Sequence, residues 1–192
     1  MSKMKTALFP SLHNLARAVC ASAACALSLV PSTPSLAADA LPEPQSTVVD
    51  GSLAAAQRDS QIQAARLYYA FWNTGEARYA QAALATDFVD RNLPAGRPQG
   101  PEGPLFASKN FRAAVPDLRV TVEEMLVVGD RVVGRLHFTG HFTGRFHNTA
   151  GDGRAVDFIA TDIYRIANGR IAENWHLEDN LTLLQQLGVI AQ

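Results

Sequence analysis

The chain has 192 residues, 47% of them hydrophobic and 18% charged, with a formal net charge of −1. That length and balance describe one ordinary globular domain rather than a disordered, fibrous or multidomain chain. No basic stripe argues for a nucleic-acid partner.

The first 37 residues stand apart. Lys3, Lys5 and Arg17 precede an apolar run from Ala18 to Val30, and Ser35-Leu36-Ala37 supplies a small-x-small cleavage pattern. This is the pattern of a secretory signal peptide over 1–37, so the mature chain is expected to start at Ala38 and to be periplasmic or secreted. The apolar run falls short of the roughly 17 to 25 residues that a spanning helix needs, so no membrane association is expected after cleavage. Three cations leave with the peptide, which takes the 17 cations to 14 against 18 acids, a net −4. Cys20 and Cys25 leave too, so the exported domain is expected to hold together without a disulfide.

Residues 38–53, with Pro42 and Pro44 among small and polar residues, have the composition of a flexible leader, and the folded domain is expected over 54–192. Ile62, Ala65, Tyr69 and Trp72 recur at helical spacing, which predicts a long amphipathic helix from Leu53 to Asn73, closed by Thr74-Gly75. An alanine-rich second helix is expected over Glu76–Leu84, then a brief extended piece ending at Asp90. The segment Arg91–Gly103 holds three prolines and three glycines and predicts a loop; Pro104 opens a third helix through Ala114. Period-two alternation then predicts strands over Leu118–Val128, Arg131–Phe142 and Arg154–Ile166, and a last strand over Arg170–Glu178. A short helix after Asp179, which suits an N-cap, ends the chain. Helices followed by an antiparallel meander and a terminal helix make an α+β domain, and a strongly curved sheet wrapped around the first helix would enclose a cone-shaped cavity.

The last hairpin carries the candidate chemistry. On the first strand, Asp162 and Tyr164 share a face; on the returning strand, Ala172, Asn174, His176 and Glu178 share one. A two-residue Asn168-Gly169 loop would pair Asp162 with Trp175 and put His176 on the opposite face. A three-residue Ala167-Asn168-Gly169 loop with a glycine bulge would pair Asp162 with Asn174 and make His176 its diagonal neighbour. The second register is preferred, because it gathers Asp162, Tyr164, Asn174 and His176 on one surface and leaves Ile163, Ile171, Trp175 and Leu177 to pack behind it.

Seven further pieces occur in order: Phe71-Trp72-Asn73-Thr74-Gly75, Asp87-Phe88-Val89-Asp90, Gly100-Pro101-Glu102-Gly103, Pro116-Asp117-Leu118, Val127-Val128-Gly129-Asp130-Arg131-Val132, Asp162-Ile163-Tyr164-Arg165-Ile166 and Leu184-Gln185-Gln186-Leu187-Gly188. Together they make the chain resemble the SnoaL-like polyketide cyclase, or ester cyclase, family from about Ile62 to Gly188. The resemblance implies the cone-shaped α+β barrel of the nuclear transport factor 2-like superfamily: a curved antiparallel sheet wrapped by N-terminal helices, with a short C-terminal helix. Aromatic polyketide cyclases of that family use an aspartate on the last strand as general acid and base. The position matching it is His176, and the family's histidine on the preceding strand matches Asp162, so the pair is exchanged; the family's asparagine after the second helix matches Asp90. Dimerisation through the sheet is also implied.

The site expected from residues and resemblance together has His176 as general base and Asp162 fixing its tautomer, with Tyr164, Asn174 or a protonated Asp90 donating to an enolate oxygen. Tyr69 and Trp72 are candidates to line the cavity for a small hydrophobic molecule. Glu178 and Asp179 are assigned to the start of the final helix. His137 and His141 share a strand face without a further ligand set, so no metal is expected, and no glycine motif argues for a nucleotide cofactor. The resulting expectation is an exported, cofactor-independent enzyme working by acid and base chemistry on a small carbonyl or related apolar compound, of cyclase, isomerase or hydratase type. The alternative is a non-catalytic module of the same fold that binds a small hydrophobic ligand or dimerises.

Overall fold

A computed structural model describes residues 41–191, and the expected signal peptide lies outside them. The elements in chain order are β1 (Thr47–Val49), α1 (Ala55–Thr74), α2 (Ala77–Ala83), β2 (Leu84–Asp90), α3 (Glu102–Ala114), β3 (Arg119–Val128), β4 (Arg131–Phe142), β5 (Arg145–Phe146), β6 (Thr149–Ala150), β7 (Arg154–Ala167), β8 (Arg170–Glu178) and α4 (Asn180–Gln186). Six strands form one curved sheet in the order β1-β3-β4-β7-β8-β2, and β5 pairs with β6 in a separate small hairpin. The four central strands are antiparallel as the alternation predicts, while the two edge strands run parallel, β1 on β3 and β2 on β8. The α+β class is therefore observed, with a mixed rather than purely antiparallel sheet.

Residues 41–53 are not a flexible leader. Gln45 donates its amide to the carbonyl of Val122, Met125 donates to that of Ser46, and Arg66 on α1 holds the carbonyls of Leu41 and Pro42. Thr47-Val48-Val49 is too short to show a period, and prolines are tolerated beside an edge strand, so composition alone concealed it.

Helix α1 ends where the sequence predicts. Gly75 takes φ 75° and donates its amide to the Phe71 carbonyl, a left-handed cap that costs glycine nothing. Its length carries two faces inward. Tyr68 and Trp72, one turn apart, face the interior cavity described below, while Tyr69 is fully buried over β4. A Cβ at Gly134 would sit 2.3 Å from the Tyr69 hydroxyl oxygen, so the glycine is what lets the ring lie on the sheet.

The β7–β8 hairpin combines features of both expected registers. Its turn is the two-residue Asn168-Gly169 type, with φ 51° and 71°, and Ala167 faces Arg170. Ile166 then pairs with Ile171 but Arg165 pairs with Glu173, so Ala172 is an extra residue in β8. That bulge flips the face of everything beyond it. Asp162 lies directly opposite His176, and Tyr164 opposite Asn174, all four on the inner face. The expectation that Ile163, Ile171, Trp175 and Leu177 pack together behind them is corrected: Ile171 is buried inside, whereas Ile163 is 38% and Leu177 75% exposed. The bulge put Ile171 on the inner face, and among the described residues no helix covers the outer one.

Gly134→Ala is expected to destabilise the domain by about 1–3 kcal/mol through overpacking against Tyr69. Urea unfolding reads this directly. Adding Tyr69→Phe should recover part of the loss, because the hydroxyl oxygen makes the closest approach; equal losses in both backgrounds would count against the contact.

Candidate functional site

The sheet curves around a cavity of about 800 Å³. Its wall is largely aromatic. Phe138 on β4 and Phe158 on β7 stack at 5.1 Å between ring centres, with Trp72 edge-on to the first and Phe111 of α3 edge-on to the second. This follows from strand alternation, which sends Phe138 and Phe158, paired directly across β4 and β7, to the same inner face.

The polar end of the cavity is built from β2, β7 and β8. His176 lies between two carboxylates: Nε2 is 3.0 Å and 3.2 Å from the Asp90 oxygens, and Nδ1 is 2.8 Å from Glu178 Oε1. Asp90 reaches it because β2 runs parallel beside β8, with Asp90 paired to Asn174. Arg97, from the loop after β2, approaches Asp90 at 3.5 Å, and Gln99 clamps the Asp90 backbone through both its amide and its carbonyl. Burial alone would lower the His176 pKa, but the hydrogen bonds and charges of Asp90 and Glu178 outweigh it and raise it to about 10. Burial would raise Asp90, yet the His176 bond and charge, the Asn92 amide and Arg97 leave it lowered. Glu178 is likewise lowered: its burial penalty is outweighed by His176.

Asp162 is a different kind of acid. It is 5% exposed, lines the cavity, and accepts the Tyr164 hydroxyl at 2.6 Å. Burial pushes its pKa from 3.8 to about 6; the Tyr164 bond opposes that rise, and the charges of Glu178 and Asp90 add to it against the pull of His176. The cavity therefore holds a fixed cation clasped by two anions beside a carboxyl that titrates near neutrality.

These geometries rearrange the expected site. His176, Asp162, Asp90, Asn174 and Trp72 all line the cavity, whereas Tyr69 and Tyr164 do not. Tyr69 is one residue out of phase on α1, and Tyr68 takes the lining position; Tyr164 forms the layer behind, holding Asp162. The expected roles of the pair also change. Both His176 ring nitrogens are engaged by Asp90 and Glu178 rather than by Asp162, and a protonated imidazole is not a base at neutral pH. Asp90 stays ionised beside His176 and Arg97, so it cannot donate to an oxyanion. Asn174 is 3% exposed, and among the described residues its side-chain oxygen has no hydrogen-bond partner. Asp179 caps α4 as expected, accepting from Thr182, but Glu178 turns inward to His176. The two-residue period that put Glu178 on the face of Asn174 and His176 was the signal that could have found it. His137 pairs with Asp157 and His141 with Asp117 on the exterior, and among the described residues no group of three or more His, Cys, Asp or Glu is placed to hold a metal ion.

His176→Ala would leave the buried Asp90 carboxylate and the half-buried Glu178 carboxylate without their shared cation. A loss of about 3–5 kcal/mol at pH 7 is expected from that uncompensated charge. The raised His176 pKa stabilises the fold fully below 6.5 and that contribution is lost as pH rises through about 10. The gap between wild type and variant should therefore shrink at pH 10 and above, and again at low pH as Asp90 and Glu178 protonate. Denaturant unfolding across the pH range measures this; a gap independent of pH would count against the charged arrangement.

Comparison with known proteins agrees with this architecture. The profile described as SnoaL-like polyketide cyclase matches residues 62–187. A presumed polyketide cyclase from Bacillus cereus ATCC 10987 is 44% identical, with a TM-score of 0.73, over 79% of this chain and 95% of that one. TsrD from Streptomyces laurentii is 27% identical at a TM-score of 0.62, over 72% of this chain and 100% of its own. IdmH from Streptomyces antibioticus, also a presumed polyketide cyclase, is 28% identical at 0.58, over 69% and 98%. Among proteins of curated function, none matches. With the nuclear transport factor 2-like fold and two thirds of its length inside the matching profile, the chain belongs to the SnoaL-like polyketide cyclase family.

Proposed function

We propose that this chain is an exported acid–base enzyme that abstracts a proton next to the carbonyl of a small, largely apolar compound, using side chains alone. The observation that carries the reading is a buried Asp162 carboxyl, its pKa raised to about 6, in the lining of an aromatic-walled cavity. In the step, the substrate's α C–H bond breaks, its proton passes to the Asp162 carboxylate, and the electron pair moves onto the carbonyl oxygen. Tyr68 is the donor suited to that oxygen: it lines the cavity, and burial and the Asp162 charge raise its pKa, so it keeps its proton. His176, Asp90, Glu178 and Arg97 set the field in which Asp162 ionises. The carbon nucleophile then either attacks a second carbonyl in the same molecule, whose C=O π bond breaks and whose oxygen takes the proton from Asp162, or takes that proton back at another position: a cyclisation or an isomerisation.

Asp162 has to be ionised to accept a proton, so the rate should rise with pH through about 6 and level off above it. The test is exchange of α-protons of a bicyclic aryl ketone such as β-tetralone in heavy water, followed by NMR. Asp162→Asn is expected to lower exchange at least about 100-fold. The variant should stay folded, because it removes a buried carboxylate whose ionisation costs stability in full above pH 6, on the order of 3 kcal/mol. Tyr164→Phe, which removes the bond that favours the ionised form, should move the midpoint of the pH profile upward. Saturable ketone binding with no exchange in the wild type would make the chain a binding module instead.

Two further parts of the reading concern the chain's setting. Export is supported by the basic, apolar and small-x-small pattern of residues 1–37, and a homodimer by the outer sheet face, where Ile159 is 55% and Leu177 75% exposed. Expressed with its own leader, the exported chain should begin at Ala38 by mass spectrometry and run at twice the monomer mass by light scattering. Leu177→Arg should halve that mass, and a wild type that is monomeric at working concentration would remove the dimer from the proposal.

A further inference from the structure

The hairpin formed by β5 and β6 is not part of the six-stranded sheet, yet it is fastened to the body of the domain. Gly144 donates its amide to the Ala114 carbonyl at the end of α3, and Gly151 and Gly153 donate to the carbonyls of Gly144 and Phe142. A Cβ at Gly144 would lie 1.9 Å from the Ala113 carbonyl oxygen, so the hairpin's base is pressed onto α3 as closely as backbone allows. At its tip His147, a non-glycine residue, holds φ 49°, a conformation that L side chains take at a cost, and its ring meets Phe146 edge-on at 4.5 Å. Arg145, Phe146 and His147 all line the cavity.

Charge in the cavity is unevenly satisfied. Inside, His176 is held by Asp90 and Glu178, and Arg97 by Asp90. Those two cations and two anions cancel, which leaves Asp162, ionised above about pH 6, as a further acid in the lining. Arg145 is exposed, and among the described residues its guanidinium makes no ion pair; its one hydrogen bond goes to the Asn148 carbonyl within the same turn, at a long 3.4 Å. A guanidinium on a rigid mount at the mouth of an aromatic-walled cavity, with no ion pair of its own among the described residues, is suited to a planar or tetrahedral anion, which it can grip through two parallel N–H donors.

We infer that the ligand of this cavity is amphipathic, with an apolar body inside and an anionic group, carboxylate or phosphate, docked on Arg145 at the mouth. This deepens the reading of the cavity as a substrate site and names the substrate class: an apolar carbonyl compound bearing an anion at the end remote from the reacting carbon. The distance between the two ends sets orientation as well as affinity. An anion held at the hairpin leaves the opposite end of the ligand to meet Asp162, so one contact at the rim decides which carbon is presented.

Binding tests this without any turnover, so the inference and the proposed reaction can fail separately. Two fluorescent probes of matching shape serve: anilinonaphthalene sulfonate carries an anion, and phenylnaphthylamine does not. Wild type should bind the sulfonate more tightly than the neutral probe, with affinity that falls as salt rises. Arg145→Gln should weaken the sulfonate about tenfold and leave the neutral probe unchanged, while Arg145→Lys should retain an intermediate affinity. Displacement by naphthylacetate against naphthyl phosphate then distinguishes a carboxylate from a phosphate ligand. Equal sulfonate binding by wild type and Arg145→Gln would overturn the inference, as would equal weakening of both probes or displacement by naphthylacetamide as effective as by either anion.

Discussion

A histidine buried between two carboxylates governs the interior of this domain. His176 is 8% exposed, and its charge can persist there only because Asp90 and Glu178 both accept from it. The contacts come from different parts of the chain: Asp90 from the edge strand β2, and Glu178 from the end of β8, next to the cap of α4. One imidazolium thereby ties the edge strand β2 to the end of β8 across the polar end of the cavity. Removing any of the three would strand charge in a low-dielectric space, so the cluster holds as a unit.

That unit also sets the character of Asp162. Two anions nearby make its ionisation harder, and one cation eases it; the Tyr164 hydroxyl eases it further. Burial remains the largest influence and places the group close to neutrality, where a carboxylate is both basic enough to take a proton and acidic enough to return it. Tyr164 and Tyr69, which do not reach the cavity, matter here as packing. They fill the space behind the carboxylate, and Tyr69 can do so only because Gly134, opposite Asp162 on the neighbouring strand, has no side chain.

Much of the fold was legible because its signals are periodic. The span of α1, the glycine that ends it, the long central strands and the capping aspartate of α4 all follow from spacing and local chemistry. The parts that were not legible depend on single residues or on distant partners. The bulge at Ala172 has no local marker, since Ile-Ala-Glu can sit in either register; only the packing of both faces decides it. β1 is three residues long and exists because β3 offers an edge. For the site, the positions were visible and the roles were not. Periodicity put His176, Asp162, Asn174 and Glu178 inside, but which acid bonds to which ring nitrogen depends on the approach of β2, more than 80 residues away. The engagement of His176 by Asp90 rather than by Asp162 is a consequence of that long-range contact.

The short strand β1 has a consequence for where this domain begins. The family profile starts at residue 62, but Thr47–Val49 lies along Met125–Val127 and Arg66 grips the backbone at Leu41 and Pro42. The folded domain is therefore wider than the span of that profile. Without those residues the rim of β3 would present unpaired amides and carbonyls beside apolar side chains, a template for strand addition between molecules. The segment ahead of α1 acts as a built-in edge protector, placed within a few residues of the expected processing site.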